Sequence, residues 1–322
     1  MEKLTTVVIP NYNGMKYLEN CLSFLHRSKD TQFDTIVVDN GSEDDSVGYI
    51  KRQFEWVKII QMGENTGFSK AVNAGIKASQ TKYVLLLNND TIVDYHFVYE
   101  LERMMEEDSK LFSCGAKMLS MSDTQVIDDA GDFYTALGWA YARGKGQSAE
   151  RYTKPDHIFS ACAGAAIYRR EVFDKIGLFD EAHFAYLEDI DVGYRSRIYG
   201  YQNRLCPKAI VYHAGSGSSG SRYNEFKIKL SSRNSIYLIS KNMPFLQILI
   251  NFPLLFCGFA IKTLFFVRKK YAGVYVRGLA EGFKMSFSPE GRAQKVPFYT
   301  RNIWRYFVIE WELLRNIFGL VR

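Results

Sequence analysis

Four short apolar runs, each stopping on a cluster of Pro, Asn, Asp or Gly, constrain this chain more than any other feature. Leu4–Pro10 ends on Pro10-Asn11-Tyr12-Asn13-Gly14, and Thr35–Val38 on Asp39-Asn40-Gly41-Ser42. Val57–Gln61 leads into Gly63-Glu64-Asn65-Thr66-Gly67, and Tyr83–Leu87 stops abruptly on Asn88-Asn89-Asp90. Runs of this kind make buried strands, and the turn residues end them. Between them lie helical segments: Met15–Arg27, with Tyr17, Leu18, Cys21, Leu22 and Leu25 on one stripe, and Phe68–Ala78. Strands alternating with helices predict right-handed crossovers and an α/β fold, a mostly parallel central sheet with helices on both faces. Ligands of such sheets sit at the carboxyl ends of the strands. Asp39, Gly67 and Asp90 would therefore gather on one edge, where helix N-termini favour a phosphate-bearing ligand. Any one of these loops also reads as a plain connection; all four together fit that reading less well.

Beyond a helix over His96–Asp108, Leu111–Ser120 reads as a strand, Asp128–Asp132 as an acidic turn and Trp139–Pro155 as a flexible excursion. Cys162–Tyr168 is a small-residue strand, and Arg170–Ile176 a short helix. Tyr186-Leu187-Glu188-Asp189-Ile190-Asp191 then opens a helix reaching Tyr199. Three carboxylates in one first turn complement the helix dipole, which accounts for at least one of them. Asp191 also has Arg195 four residues on as an ion-pair partner. Adjacent carboxylates perturb each other, which is how one acquires the pKa of a general base. Lys208–Tyr212 is a further strand ending on His213. The following Gly215-Ser216-Gly217-Ser218-Ser219-Gly220 formally matches the dinucleotide fingerprint GxGxxG. It follows the last strand instead of the first and lacks the acid about 20 residues on, so it reads as a mobile loop.

Charge divides the chain. Residues 1–213 hold 24 Lys and Arg against 30 Asp and Glu, and residues 214–322 hold 17 against 5, with no Asp at all. The basic part interleaves its cations with aromatics, which suggests an anionic partner surface, nucleic acid or membrane. Asn242–Ile261 carries no charge but is interrupted by Pro244, Gln247, Asn251 and Pro253, and both its flanks are basic, which disfavours a single span. Helices lying on or dipping into the cytoplasmic leaflet fit better, with Tyr271, Tyr275, Phe283, Trp304, Tyr306, Phe307 and Trp311 as anchors. A helical subdomain packed on the rest is the other reading, and both can hold. Five cysteines without a CxxC pair suggest neither a zinc knuckle nor a disulfide framework. The N-terminus runs straight into a strand with no signal-peptide pattern, which suggests a cytoplasmic protein.

The ordered motifs Val8-Ile9-Pro10-Asn11-Tyr12-Asn13, Val38-Asp39-Asn40-Gly41-Ser42, Asn65-Thr66-Gly67-Phe68, Leu87-Asn88-Asn89-Asp90, Gly177-Leu178-Phe179-Asp180-Glu181, Glu188-Asp189-Ile190-Asp191 and His213 carry a resemblance over about residues 4 to 215. The chain is similar to the inverting glycosyltransferases of family 2, with the type-A nucleotide-diphospho-sugar transferase fold, in their bacterial rhamnosyltransferase-like branch. The resemblance implies a catalytic domain over 1–221 and a basic, aromatic-rich, membrane-associating helical region over 222–322. It places Pro10, Asn11, Tyr12, Asp39, Gly67, Asn73 and Asn89 around the nucleotide, with Asp39 accepting the pyrimidine N3 proton. Asp90 falls on the last position of the family's Asp-x-Asp motif, and with His213 would hold a divalent metal, Mn²⁺ or Mg²⁺. Asn88 at the first position leaves one carboxylate where the motif offers two. Asp189 matches the catalytic base and Glu188 would hold the acceptor or tune it, while Gly164, Asp132, Trp139 and Asp191 are candidates for donor or acceptor contact. The implied reaction moves a sugar, L-rhamnose from dTDP-rhamnose, to a growing lipid-linked cell-surface glycan at the inner membrane face, with no nucleic-acid partner. The competing readings are a UDP-hexose-dependent enzyme of the same family and a non-catalytic nucleotide-sugar or membrane-binding module. A nucleotidyltransferase would need cations after the first strand, where Pro10–Gly14 has none.

Overall fold

The computed structural model describes residues 2–215 and 223–320. The N-terminal half alternates as expected: β1 (Thr5–Asn11), α1 (Met15–His26), β2 (Phe33–Asp39), α2 (Ser46–Gln53), β3 (Lys58–Gln61), α3 (Phe68–Ala78) and β4 (Tyr83–Leu87). There follow β5 (Thr91–Val93), α4 (Phe97–Glu107), β6 (Leu111–Ser120), β7 (Ile127–Asp129), β8 (Asp132–Tyr134), β9 (Ala140–Ala142), β10 (Asp156–Ile158) and β11 (Ala165–Arg169). Next come α5 (Arg170–Ile176), α6 (Glu188–Ile198) and β12 (Gln202–His213). The C-terminal region is helical: α7 (Glu225–Asn242), α8 (Phe245–Arg268), α9 (Ala272–Phe287), α10 (Pro289–Ala293) and α11 (Ile303–Ile317).

The main sheet runs β10-β12-β6-β11-β4-β1-β2-β3. β3, β2, β1 and β4 are parallel neighbours, β11 runs against both β4 and β6, and β12 is parallel to β6. The sheet is thus mostly parallel, with β11 and the edge strand β10 reversed. Both faces are covered, and the two-residue period of a strand explains how. Val7, Ile9, Val37, Leu85 and Leu87 point to one side with Leu18, Leu22, Leu25, Leu101 and Met105 of α1 and α4. Val8, Ile36, Val38, Val84 and Leu86 point to the other with Val72, Ile76, Val172 and Phe173 of α3 and α5.

Two local expectations need correction. Trp139–Pro155 is not a loose excursion. β9 pairs with β8, and the arm returns over β6, where the buried Lys117 ammonium binds the Ala149 and Arg151 carbonyls. The last strand begins at Gln202 instead of Lys208, because Asn203, polar in sequence, is buried and bonds Ser113 and the Phe159 carbonyl. The Gly/Ser loop read as mobile lies almost wholly outside the described residues.

Candidate active site

Strand ends build the floor of the site. Asn11 closes β1 and is buried, and its amide ties the neighbouring loops together. The Nδ2 atom donates to Asp39 Oδ1 (3.1 Å), Ser42 Oγ (3.1 Å) and Ser46 Oγ (2.9 Å), while Oδ1 accepts from Asn89 Nδ2 (2.8 Å). Asn40 does the same one strand over, donating to Asn65 Oδ1 and the Gly67 carbonyl and accepting from Thr66. Its place in Asp-Asn-Gly-Ser was the only signal of this, and turn residues are too common there to single it out.

Above this floor opens a cleft of about 640 Å³. It is lined by Pro10, Asn11, Tyr12, Asn40, Asn65, Gly67, Asn88 and Asn89 of the strand ends, by Asp132, Cys162, Gly164 and Phe184–Asp189, and by Phe226 and Ser231 of α7. Tyr12 is exposed, as a ring awaiting a flat partner would be. Gly67 sits at φ +85°, and a Cβ there would come within 2.6 Å of the Phe184 carbonyl oxygen. Asp39 lies just beneath the wall, one oxygen bonded to Asn11 and the other to the Ser42 backbone N–H.

Asp189 and Glu188 open α6 on the cleft wall, with Asp132 beside them. Burial and, next, the Asp189 charge push Glu188 up to about 8. Burial raises Asp189 as well, and raises Asp132 well above the ordinary range with help from Asp129 and Asp189. Like charges in a dry cleft share protons, the condition under which a carboxylate works as a base near neutral pH.

Asp90 and His213 are brought together by the β5–β12 pairing, in which Thr91 faces His213. His213 Nε2 lies 3.4 Å from Asp90 Oδ1, while Nδ1 bonds Asp128 Oδ2 at 2.7 Å. Burial opposes the imidazolium, yet the Asp128 and Asp90 carboxylates lift His213 to about 9. A cation shared by Asp90 and His213 would displace the Nε2 proton, and a carboxylate behind the imidazole is the usual outer support of a metal-bound His. The residues therefore fit a divalent metal. Asp128 was visible in sequence as part of an acidic turn, but its partner lies 85 residues away. Asp129, Asp132 and Cys162 are a second group whose ligand atoms lie within 4.8 Å of one another, beside Asp189. A third, Asp180, His183 and Asp191, is already filled by the Lys241 ammonium, 2.7 Å from Asp180 and 2.9 Å from Asp191.

Three expected contacts are displaced. Asn73 is buried away from the cleft, its amide spent on the Phe179 backbone N–H and carbonyl. Asp191 is fully buried in ion pairs with Arg195 and Lys241, which overcome burial and hold it far below the usual carboxylate range. Trp139 donates its indole N–H to the Gly258 carbonyl of α8 (3.1 Å), under Lys262, so it fastens the C-terminal region instead of a sugar. Gly164 and Asp132 do line the cleft, together with Asn88, whose backbone N–H bonds the Gly164 carbonyl.

Comparison with known proteins agrees with this geometry. The family model of glycosyl transferase family 2 matches residues 6–177. The N-acetylglucosaminyl-diphospho-decaprenol L-rhamnosyltransferase of Mycobacterium tuberculosis is 24% identical over 245 residues, 68% of this chain and 79% of that protein. Among solved structures, S. aureus TarS 1-349 in complex with UDP-GlcNAc superposes with a TM-score of 0.61 at 18% identity, over 91% of this chain and 84% of that one. The mannosyltransferase PcManGT from Pyrobaculum calidifontis, in complex with GDP-Man and Mn²⁺, does so with a TM-score of 0.56 at 13% identity, over 97% and 88%. Fold, nucleotide-sized cleft and family match agree: the chain belongs to glycosyl transferase family 2 and is a nucleotide-sugar glycosyltransferase of the type-A fold.

Proposed function

We propose that the protein transfers L-rhamnose from dTDP-rhamnose, with inversion, to a lipid-linked glycan at the inner face of the plasma membrane. The observation that supports this chemistry is that Asp189 lines the same cleft as the strand ends Pro10–Tyr12 and Asn88–Asn89. The nucleotide lies along the strand ends, its base against Tyr12 and above Asp39, its diphosphate toward Asp90 and His213. Asp90 and His213 would hold a divalent cation, which when bound would supply positive charge beside the leaving diphosphate. Asp189 takes the proton of the acceptor hydroxyl as its oxygen attacks the anomeric carbon from the face opposite the diphosphate. One displacement inverts the centre, and no enzyme nucleophile is needed. Glu188, raised by burial and the neighbouring Asp189 charge and with one oxygen buried and unpartnered, can donate to an acceptor oxygen when protonated.

The relative's name supports rhamnose and a lipid-diphosphate acceptor. The UDP-GlcNAc complex of TarS supports the rival reading, a UDP-sugar donor. Transfer assays with dTDP-rhamnose, UDP-GlcNAc, UDP-galactose and UDP-glucose, with Mn²⁺ and Mg²⁺, decide between them. Turnover with dTDP-rhamnose and an inverted product by NMR is expected; preference for a UDP-sugar overturns the donor assignment.

Membrane placement rests on α8 and α11. Among the described residues α8 is the one helix long and apolar enough to cross a bilayer. It has a polar inner side all the same. Gln247 and Asn251 both donate to the Glu310 carboxylate of α11 at 2.8 Å, and Gly258 packs against the Leu137 backbone. Its outer side exposes Phe245, Leu249, Phe252, Phe256 and Leu264, and α11 exposes Trp304, Phe307 and Trp311. A helix fastened along one side to a water-soluble domain lies in the interface instead of crossing it.

A further inference from the structure

The backbone entering α6 is bent in a way that its sequence does not favour. Phe184 has φ 63° and ψ −61° and is spanned by a bond from the Ala185 N–H to the His183 carbonyl (2.7 Å), a γ-turn of the rare, strained hand. Tyr186 and Leu187 follow with φ of 72° and 66°. Three side-chain-bearing residues out of four are thus in the left-handed region, immediately before Glu188 and Asp189. Such a run persists only where its surroundings over-determine it.

Helix α7 supplies the determination. Asn234 is fully buried, and its Nδ2 faces three carbonyl oxygens of this turn: His183 (3.0 Å), Ala185 (2.9 Å) and Tyr186 (2.8 Å). Its own Oδ1 accepts from Arg233 Nε (2.9 Å), which fixes the amide's orientation, and Arg233 Nη2 adds bonds to the Ala182 and His183 carbonyls. The His183 carbonyl has further donors in the Ala185 N–H and Arg233, so the bonds that Asn234 adds at the Ala185 and Tyr186 carbonyls are what tie the second half of the turn to α7. The turn also reaches the donor side of the cleft, since the Phe184 carbonyl accepts from the Ser69 N–H and its ring packs on Gly67.

We propose that Asn234, on a helix outside the matched family region, is a positioning residue for transfer: by gathering three carbonyls of the 183–186 turn it sets where Asp189 stands in the cleft. Arg233 orients Asn234 and shares the task. This rests on Asp189 being the base, but the turn's geometry can be read independently of turnover.

The test is hydrogen exchange by mass spectrometry on the full chain, together with steady-state kinetics, for wild type, Asn234→Ala and Arg233→Ala. Exchange across 183–190 should quicken more than tenfold in Asn234→Ala while β1 and β4 keep their protection. With the nucleotide sugar that the wild type consumes, kcat should fall at least tenfold, with the Kd for UDP or dTDP within threefold of wild type. Arg233→Ala should show the same pattern more weakly, and it decides the matter if Asn234→Ala does not fold. Unchanged exchange across 183–190, or a kcat within threefold of wild type in the folded variants, overturns the proposal. Should Asp189→Asn turn over normally while the turn still loosens in Asn234→Ala, the base assignment fails and the positioning of the turn stands.

Discussion

Residues on the two sides of the cleft differ in how legible they were. Asp189, Glu188, Asn11, Tyr12 and Gly67 stand at strand or helix ends that the sequence marks, and their roles came from the family resemblance; the structure brings all five to one cleft. Asn73 came in with the family resemblance, and the fold shows its amide spent on Phe179. Asp191 was read both ways, and the Arg195 pairing is the one the structure holds. Protonation follows from burial. Glu188 titrates at about 8 when folded and Asp129 at about 7, so between the ordinary carboxylate range and those values the folded protein binds more protons than the unfolded chain. Stability must then fall as pH rises through that window. Urea denaturation at pH 6 and pH 8 should show a smaller loss in Glu188→Gln than in wild type; equal losses would remove Glu188 from the account. Asp191 acts oppositely, its contribution present above the ordinary Asp range and lost in acid. At the proposed cation site, Asp90→Ala should raise the metal concentration needed for half-maximal transfer by at least the roughly 10- to 100-fold typical of losing an outer partner of a metal ligand. His213→Ala should do the same to a smaller degree, read by titrating Mn²⁺ into the chelator-treated protein.

Elements were easier to read than their partnerships. The β1–β4 alternation, α3, β6 and α5 followed from periodicity and turn residues, whereas the β8–β9 arm did not, because strands of three residues are too short to show a period. The helical region after residue 221 packs on the sheet domain through α7: Lys241 bridges Asp180 and Asp191, Tyr237 bonds Asp180 at 2.8 Å, and Asn242 bonds Asp191 at 2.8 Å. No local pattern could reveal a lysine whose acids lie 50 and 61 residues earlier. Removing one partner of a buried ion network leaves charge unpaired, so Lys241→Met should lose about 3–5 kcal/mol by urea denaturation. A loss under 1 kcal/mol would show α7 to be an appendage.

The whole molecule is a cleft-bearing sheet domain with an apolar face fastened to it. Tyr194 of α6 reaches Gln247 of α8, so the helix that carries the candidate base also contacts the helix proposed to lie in the bilayer. That face should bind anionic vesicles in flotation, more weakly at high salt, with Trp304 and Trp311 emission shifting to the blue. Leu249→Glu with Phe256→Glu should abolish flotation without altering nucleotide binding, and persistence of the wild-type protein in membranes after alkaline carbonate washing would instead show a span. These tests leave the central claim, an inverting transfer with Asp189 as base, to one comparison: Asp189→Asn against wild type, measuring sugar transfer and nucleotide affinity on the same preparations. The account predicts transfer reduced by a factor on the order of 10³, near the middle of what a general base contributes, with the Kd for the nucleotide unchanged; transfer at the wild-type rate would contradict it.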